Sequence, residues 1–274
     1  MRIDVGRENS TLIELQVDDF GHGPPVVLLH GWPLSGRVWE PQLPALLAAG
    51  RRVLAVDRRG FGGSTRCSLG FDLDTLAEDL GQVLERLAPA GAVVVAHDLG
   101  AAELLRYLGS FGGERLRAAV LVVPPPPTPE TPAPAPPPPA PRAAMLRHWI
   151  DEAHAPPSLP LARRLDADAR HALWLDAIAN GPLALHASRA TLDAADLRDD
   201  LPRIDVPTLV LHGEADMGRP PAGAAALAAA LAGARVERLA EAPRGLLWTH
   251  ADEVNAALLA FLAAVAPAPP AGGR

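Results

Sequence analysis

The segment with the most chemical promise is Val93–Ala102, VVVAHDLGAA. A β-branched run ends at Ala96, the turn His97-Asp98-Leu99-Gly100 follows, and a helical pattern begins at once. A strand that turns tightly into a helix holds one side chain at the top of the sheet and at the helix N-terminus, the geometry of a nucleophile elbow. The usual spacing is Gly-x-nucleophile-x-Gly. Here Ala96 replaces the first glycine, Gly100 is the second, and Asp98 holds the reactive position. A carboxyl with an ordinary pKa of about 3.9 is ionised at neutral pH, and the positive end of the helix favours its charge. Such a carboxylate can attack carbon and form an ester without a base. Cleaving that ester does need a base, to take a proton from water. His97 adjoins Asp98, but successive residues at a tight turn seldom point the same way.

The elements that must position this turn can be read from hydrophobic patterning. Leu12–Val17 alternates like an edge strand. Val26–His30, Val53–Asp57, Val93–Ala96, Ala119–Val123 and Thr208–His212 are near-continuous apolar runs, as expected of parallel strands buried on both faces. Arg235–Leu239 reads as a last, outer strand. Leu73–Leu87 places its apolar residues on one helical face, with Asp72 or Asp74 as its cap. Leu99–Leu108 and His250–Val265 also read as helices. Strands alternating with helices predict an α/β fold with a doubly wound, mostly parallel sheet. Met145–Ala153, Leu161–Ala179 and Leu183–Thr191 are helical with no strand between them, which predicts a helical cap inserted into the sheet. The expected organisation is a core over 1–123 and 202–266, a cap over 142–201, a stiff Pro-rich connector over 124–141 and a frayed tail over 267–274.

Composition narrows the function classes. The chain has 274 residues with 49% hydrophobic and 21% charged, enough for a sizeable core and unlike a disordered protein. All 25 basic residues are arginine against 32 acidic ones, and a net charge of −7 gives no general reason to bind nucleic acid or anionic membrane. Proline totals 30, concentrated in Pro124–Pro141. The single cysteine, Cys67, excludes an internal disulfide and a thiolate metal cluster and reads as an incidental loop thiol. Pairs such as Asp199–Asp200 and Arg163–Arg164 read as solvated charge. No phosphate loop, dinucleotide fingerprint or metal-ligating motif occurs, so no cofactor or metal is expected. Met1–Phe20 is charged throughout and no apolar run is long enough to span a membrane, which reads as a cytoplasmic protein acting on a small-molecule substrate. Association between copies stays open.

Further segments carry a resemblance. His30-Gly31-Trp32-Pro33 with Leu34–Trp39, Asp57–Gly62 and Gly245–Asn255 resemble the corresponding stretches of the cofactor-free haloperoxidases, or perhydrolases, within the α/β-hydrolases. The likeness runs over nearly the whole chain and implies the α/β-hydrolase fold. It implies an oxyanion hole built from the backbone N–H groups of Trp32 and Leu99. It implies that Asp216, after the Thr208–His212 strand, is the triad carboxylate, and that His30 is a turn-fixing histidine. Two positions depart from the subgroup. The elbow residue is Asp98 rather than serine, and the triad histidine in Glu241-Ala242-Pro243-x-Gly245 is Arg244. His-Asp-x-Gly at an elbow resembles haloalkane and haloacetate dehalogenases and epoxide hydrolases, in which a carboxylate is the nucleophile.

Arginine stays protonated and cannot serve as the base. Three roles for Arg244 stand open: an ion pair with Asp98 and Asp216, recognition of an anionic substrate group, or a bystander while another histidine supplies the base. His148, His154, His171, His186 and His250 are the alternatives to His97, and Trp149 and Trp174 are candidates for the pocket wall. The resulting readings are a hydrolase of a small ester, halide or epoxide, a degenerate hydrolase that binds a ligand or partner, and a non-hydrolytic lyase or cyclase.

Overall fold

Apolar runs without a polar face must be covered on both sides, and in the computed structural model they form the centre of one sheet. The structure describes residues 1–128, 142–216 and 218–265. Eight strands occur in it: β1 (Arg2–Glu8), β2 (Thr11–Phe20), β3 (Pro25–Leu29), β4 (Arg52–Val56), β5 (Ala92–His97), β6 (Leu116–Val122), β7 (Thr208–Gly213) and β8 (Arg235–Leu239). Their spatial order is β1-β2-β4-β3-β5-β6-β7-β8. β2 is antiparallel to β1 and β4, and every pairing from β4 to β8 is parallel. This is the doubly wound, mostly parallel sheet expected from the alternation. β1 escapes the pattern because Arg2, Asp4, Arg7 and Glu8 crowd it with charge, which suits an edge strand that solvent reaches.

The helices are α1 (Leu43–Ala48), α2 (Leu73–Leu87), α3 (Leu99–Phe111), α4 (Arg142–His154), α5 (Ala167–Ala179), α6 (Pro182–Asp193), α7 (Pro221–Ala230), α8 (Leu246–Thr249) and α9 (Ala251–Ala264). Asp72, not Asp74, caps α2, accepting from the Thr75 N–H at 2.9 Å. α7 is PAGAAALAAA, with too little contrast between its faces to announce itself. α5 starts later than the apolar spacing suggested. Leu161–Arg163 forms a separate 3-10 turn, and Asp166 then caps the helix through the Ala169 N–H at 2.7 Å. α4, α5 and α6 stand between β6 and β7. The Pro-rich stretch from 129 to 141 and the tail from 266 lie outside the described residues.

β3, β5, β6 and β7 are buried almost throughout and bring their C-terminal ends to one edge. In parallel α/β sheets that edge is where ligands bind. Asp199 and Arg163 are exposed as expected of solvated charge, but Asp200 and in part Arg164 are not. Asp200 is buried and accepts from Arg106 Nε at 3.0 Å, and Arg164 donates to the carbonyls of Leu159 and Pro157 at 2.6 Å. Cys67 lies in a loop, as read from the sequence, and is buried there. Among the described residues no helix is long and apolar enough to cross a membrane.

Candidate active site

Asp98 links β5 to α3 with φ 53° and ψ −113°. A non-glycine residue there costs about 1–3 kcal/mol and persists only where its surroundings enforce it. The enforcement is visible: the Asp98 N–H is tied to the Val122 carbonyl at 3.0 Å, and Ala101 N–H returns to the Asp98 carbonyl at 3.0 Å. The residue is 2% exposed. Its Oδ2 accepts the Trp32 N–H at 3.0 Å, and its Oδ1 accepts from the guanidinium of Arg219. Burial pushes the carboxyl upward, but the charge of Arg219 and lesser contributions from His97, Arg244 and the Trp32 N–H outweigh it. The pKa is held at about 2. Leu99, expected as the second oxyanion donor, opens α3 and makes no hydrogen bond to the Asp98 carboxylate among the described residues.

His97 makes no hydrogen bond to Asp98 among the described residues, although both residues pack against Gly31. A β-carbon on Gly31 would lie 2.6 Å from both the Asp98 Cβ and the His97 Nδ1. Both side chains thus close on the same bare patch of backbone, and only glycine leaves them room. The His97 ring meets Trp39 edge-on at 6.4 Å, and neither ring nitrogen has a partner among the described residues. Burial lowers its pKa to about 4, so it is neutral at physiological pH.

The cation on Asp98 is Arg219, a residue the sequence reading passed over. Asp216 Oδ1 accepts the N–H groups of Gly218 and Arg219, each at 3.0 Å, which turns the chain after β7 back toward the elbow. Arg219 also donates to the Val123 carbonyl at 3.1 Å, and its own carbonyl accepts from His212 Nε2 at 2.8 Å. Arg244, on the loop between β8 and α8, donates through Nε to Asp216 Oδ2 at 3.4 Å. The single arginine bridge weighed above is therefore two separate pairs. Charge balance was the available signal, because two buried carboxylates call for two cations and Arg219 is the only basic residue between Thr208 and Ala234. No histidine is hydrogen-bonded to Asp98 or Asp216 among the described residues.

The remaining candidates separate. Trp32 is 3% exposed, ties its indole to the Leu185 carbonyl of α6 at 2.9 Å and meets Trp149 edge-on at 5.6 Å. Trp149 thus stands beside the site. Trp174 does not: it donates to Ala143, stacks on His171 at 5.4 Å and carries Arg147 on its ring. His30 donates through Nδ1 to the Gly31 carbonyl and accepts the Arg58 N–H at Nε2, both at 3.0 Å, which fixes the turn after β3. His148, His171 and His186 are exposed. His250 pairs with the Thr249 hydroxyl at 2.9 Å. His154, at the end of α4, is 2% exposed and meets the Trp149 ring at 6.2 Å.

Arg189, Arg219 and Arg244 share a cavity of about 30 Å³ with Thr128, Asp193 and Gly218. That is room for roughly two waters, at about 10–15 Å³ each.

Comparison with known proteins agrees with this architecture. Residues 24–163 match the family described as the alpha/beta hydrolase fold. A putative non-heme chloroperoxidase of Synechocystis sp. is 39% identical over 95% of this chain and 99% of its own. A bromoperoxidase structure from Bacillus anthracis superposes with a TM-score of 0.87 at 32% identity, covering 96% of this chain and 99% of the other. An esterase from Exiguobacterium antarcticum gives a TM-score of 0.84 at 25% identity, covering 96% and 98%. The chain is therefore a member of the α/β hydrolase fold family, with non-heme haloperoxidases and esterases among its relatives.

Proposed function

We propose that the protein hydrolyses a small organic ester, halide or epoxide with Asp98 as nucleophile. One observation carries this reading: the Asp98 carboxylate is ionised at the elbow, with Oδ2 already on the Trp32 N–H. In the first step Oδ1 attacks carbon. A C–O bond forms, and the halide or epoxide oxygen leaves with the electron pair of the broken bond, giving an alkyl ester. From an ester substrate the alkoxide leaves instead, the intermediate is an anhydride, and its hydrolysis frees the acid. In the second step water adds to Cγ of the new ester. The charge that develops falls on Oδ2, where the Trp32 N–H is already placed to receive it. Collapse breaks the Cγ–Oδ1 bond, the alkoxide leaves with Oδ1 and takes up the proton that water gave, and Asp98 keeps the water's oxygen as its new carboxyl oxygen. Asp216 and Arg219 are positioning residues in this scheme: Asp216 turns the loop that carries Arg219, and Arg219 orients Oδ1. Helices α4 to α6 act as a cap, with Trp149 in the pocket wall. The relatives named as haloperoxidases and an esterase support small-molecule substrates.

The test is intact-protein mass after exposure to haloacids, haloalkanes, epoxides and activated esters, with product followed in the same samples. Wild type is expected to gain a covalent adduct on Asp98 or to release product, and Asp98→Asn to do neither. Silence of the wild type across the whole panel overturns the reading.

Binding without turnover is the second reading. The arginine-lined cavity and the ion pairing of both carboxylates favour it. Saturable binding of a small anion, with no chemistry on any member of the panel, would select it.

A further inference from the structure

The position that should hold the triad histidine holds Arg244, yet a buried imidazole reaches the same loop from the opposite side. The end of α4 docks on that loop: the Gly245 N–H donates to the Ala153 carbonyl at 2.8 Å. The next residue, His154, lays its ring on Gly245, with Nε2 2.7 Å from where a β-carbon would stand. Its Nδ1 donates to the Ile150 carbonyl at 3.0 Å, which sets the tautomer and leaves Nε2 as a lone pair. The ring meets Trp149 edge-on at 6.2 Å, Trp149 meets Trp32 edge-on at 5.6 Å, and the Trp32 N–H holds Asp98. By contrast His97, though beside Asp98, keeps both nitrogens sealed in the core without partners among the described residues.

We propose that His154 Nε2, delivered by α4, is the base that replaces the missing triad histidine. The inference rests on Asp98 acting as nucleophile. Water gives one proton to Nε2 as its oxygen bonds to Asp98 Cγ. The tetrahedral species collapses, the Cγ–Oδ1 bond breaks, and the departing alkoxide, which carries Oδ1, takes the proton from Nε2. Asp98 is left as a carboxylic acid that releases its remaining proton to solvent. The titratable and charged groups near His154 are His97 on β5, Asp151 on its own helix and Arg170 on α5.

His154→Gln is compared with wild type by adduct mass and product release. The expected result is a stoichiometric Asp98 adduct that persists, with product release reduced at least about 100-fold, the scale of a lost general base. Adding Arg244→His to that variant is expected to return product release. Burial lowers the His154 pKa to about 4. The wild-type rate of ester cleavage is therefore expected to be level above about pH 5 and to fall as pH drops through 4, and the residual rate of His154→Gln is expected to lack that fall. A merely structural His154 would lower adduct formation and product together and leave the pH profile in place. That result overturns the proposal, as does a His154→Gln enzyme that turns over normally. If His154→Gln does not fold, His154→Asn and the wild-type pH profile serve as the test. Failure of the nucleophile reading looks different, because no adduct then forms in any variant.

Discussion

Two groups of buried guanidinium–carboxylate pairs flank the β5–α3 turn, and they behave in opposite ways. On one side Arg59 grips Asp79 with two bonds of 2.7 and 2.6 Å, and Arg58 holds Glu103 at 2.8 Å. On the other, Arg219 meets Asp98 and Arg244 meets Asp216. Burial wins in the first group and raises the pKa of both Asp79 and Glu103 despite their arginines. In the second group Asp98 is pushed down to about 2. The partners are of the same types, so the difference lies in what surrounds them. Asp79 feels Glu78, and Glu103 feels Asp79. Asp98 faces Arg219, His97, Arg244 and a backbone N–H. An ion pair alone does not hold a buried carboxylate in its ionised form. An excess of positive charge and donors at the position does.

The largest expected effect breaks this comparison at its centre. Asp98→Asn should remove the adduct and lower product by at least about 10³-fold, whereas Asp79→Asn should lose stability and keep the adduct, both read by mass. Next is Arg219→Leu, which leaves Asp98 buried without its cation and should cost about 3–5 kcal/mol in urea unfolding. Replacing a whole buried pair by apolar groups of similar volume is often neutral, so Arg59→Met with Asp79→Leu should cost far less than Arg219→Leu.

A smaller effect sharpens the contrast through pH. The folded Asp98 pKa of about 2 lies below the unfolded value of about 3.9. Its contribution, about 2–3 kcal/mol, is present above pH 4 and is lost as pH falls through 2. Asp79 is raised on folding, so its contribution has the opposite sign and is lost as pH rises through its folded value. Urea unfolding of Asp98→Asn and Asp79→Asn from pH 2 to 6 should show the two signs. The smallest effect belongs to Arg189→Gln at the cavity edge. The Arg189–Asp193 pair is about one-third exposed, so the variant should change stability by less than about 1 kcal/mol.

Much of this was legible in one dimension. The apolar runs dictated a buried parallel sheet because their side chains can be satisfied only between two layers, and β3, β5, β6 and β7 follow them closely. The turn at Asp98 was legible because a strand that meets a helix with no linker has few ways to turn. The short or uniformly small elements, α1, α7 and α8, carried no periodic contrast to read. Side-chain pairing was beyond reach for a different reason. Arg219 and Asp98 are 121 positions apart, and which arginine meets which carboxylate depends on how the loop after β7 folds back under the Asp216 cap. The packing of His97 and Asp98 against Gly31 rests on the close approach of the turn after β3, and the placement of His154 on how α4 docks against the Gly245 loop. Sequence patterning determined the sheet, the elbow and the identity of the residue upon it. Tertiary packing alone decided the partners of that residue, because contact between distant loops is set by the three-dimensional path of the chain and leaves no period to detect.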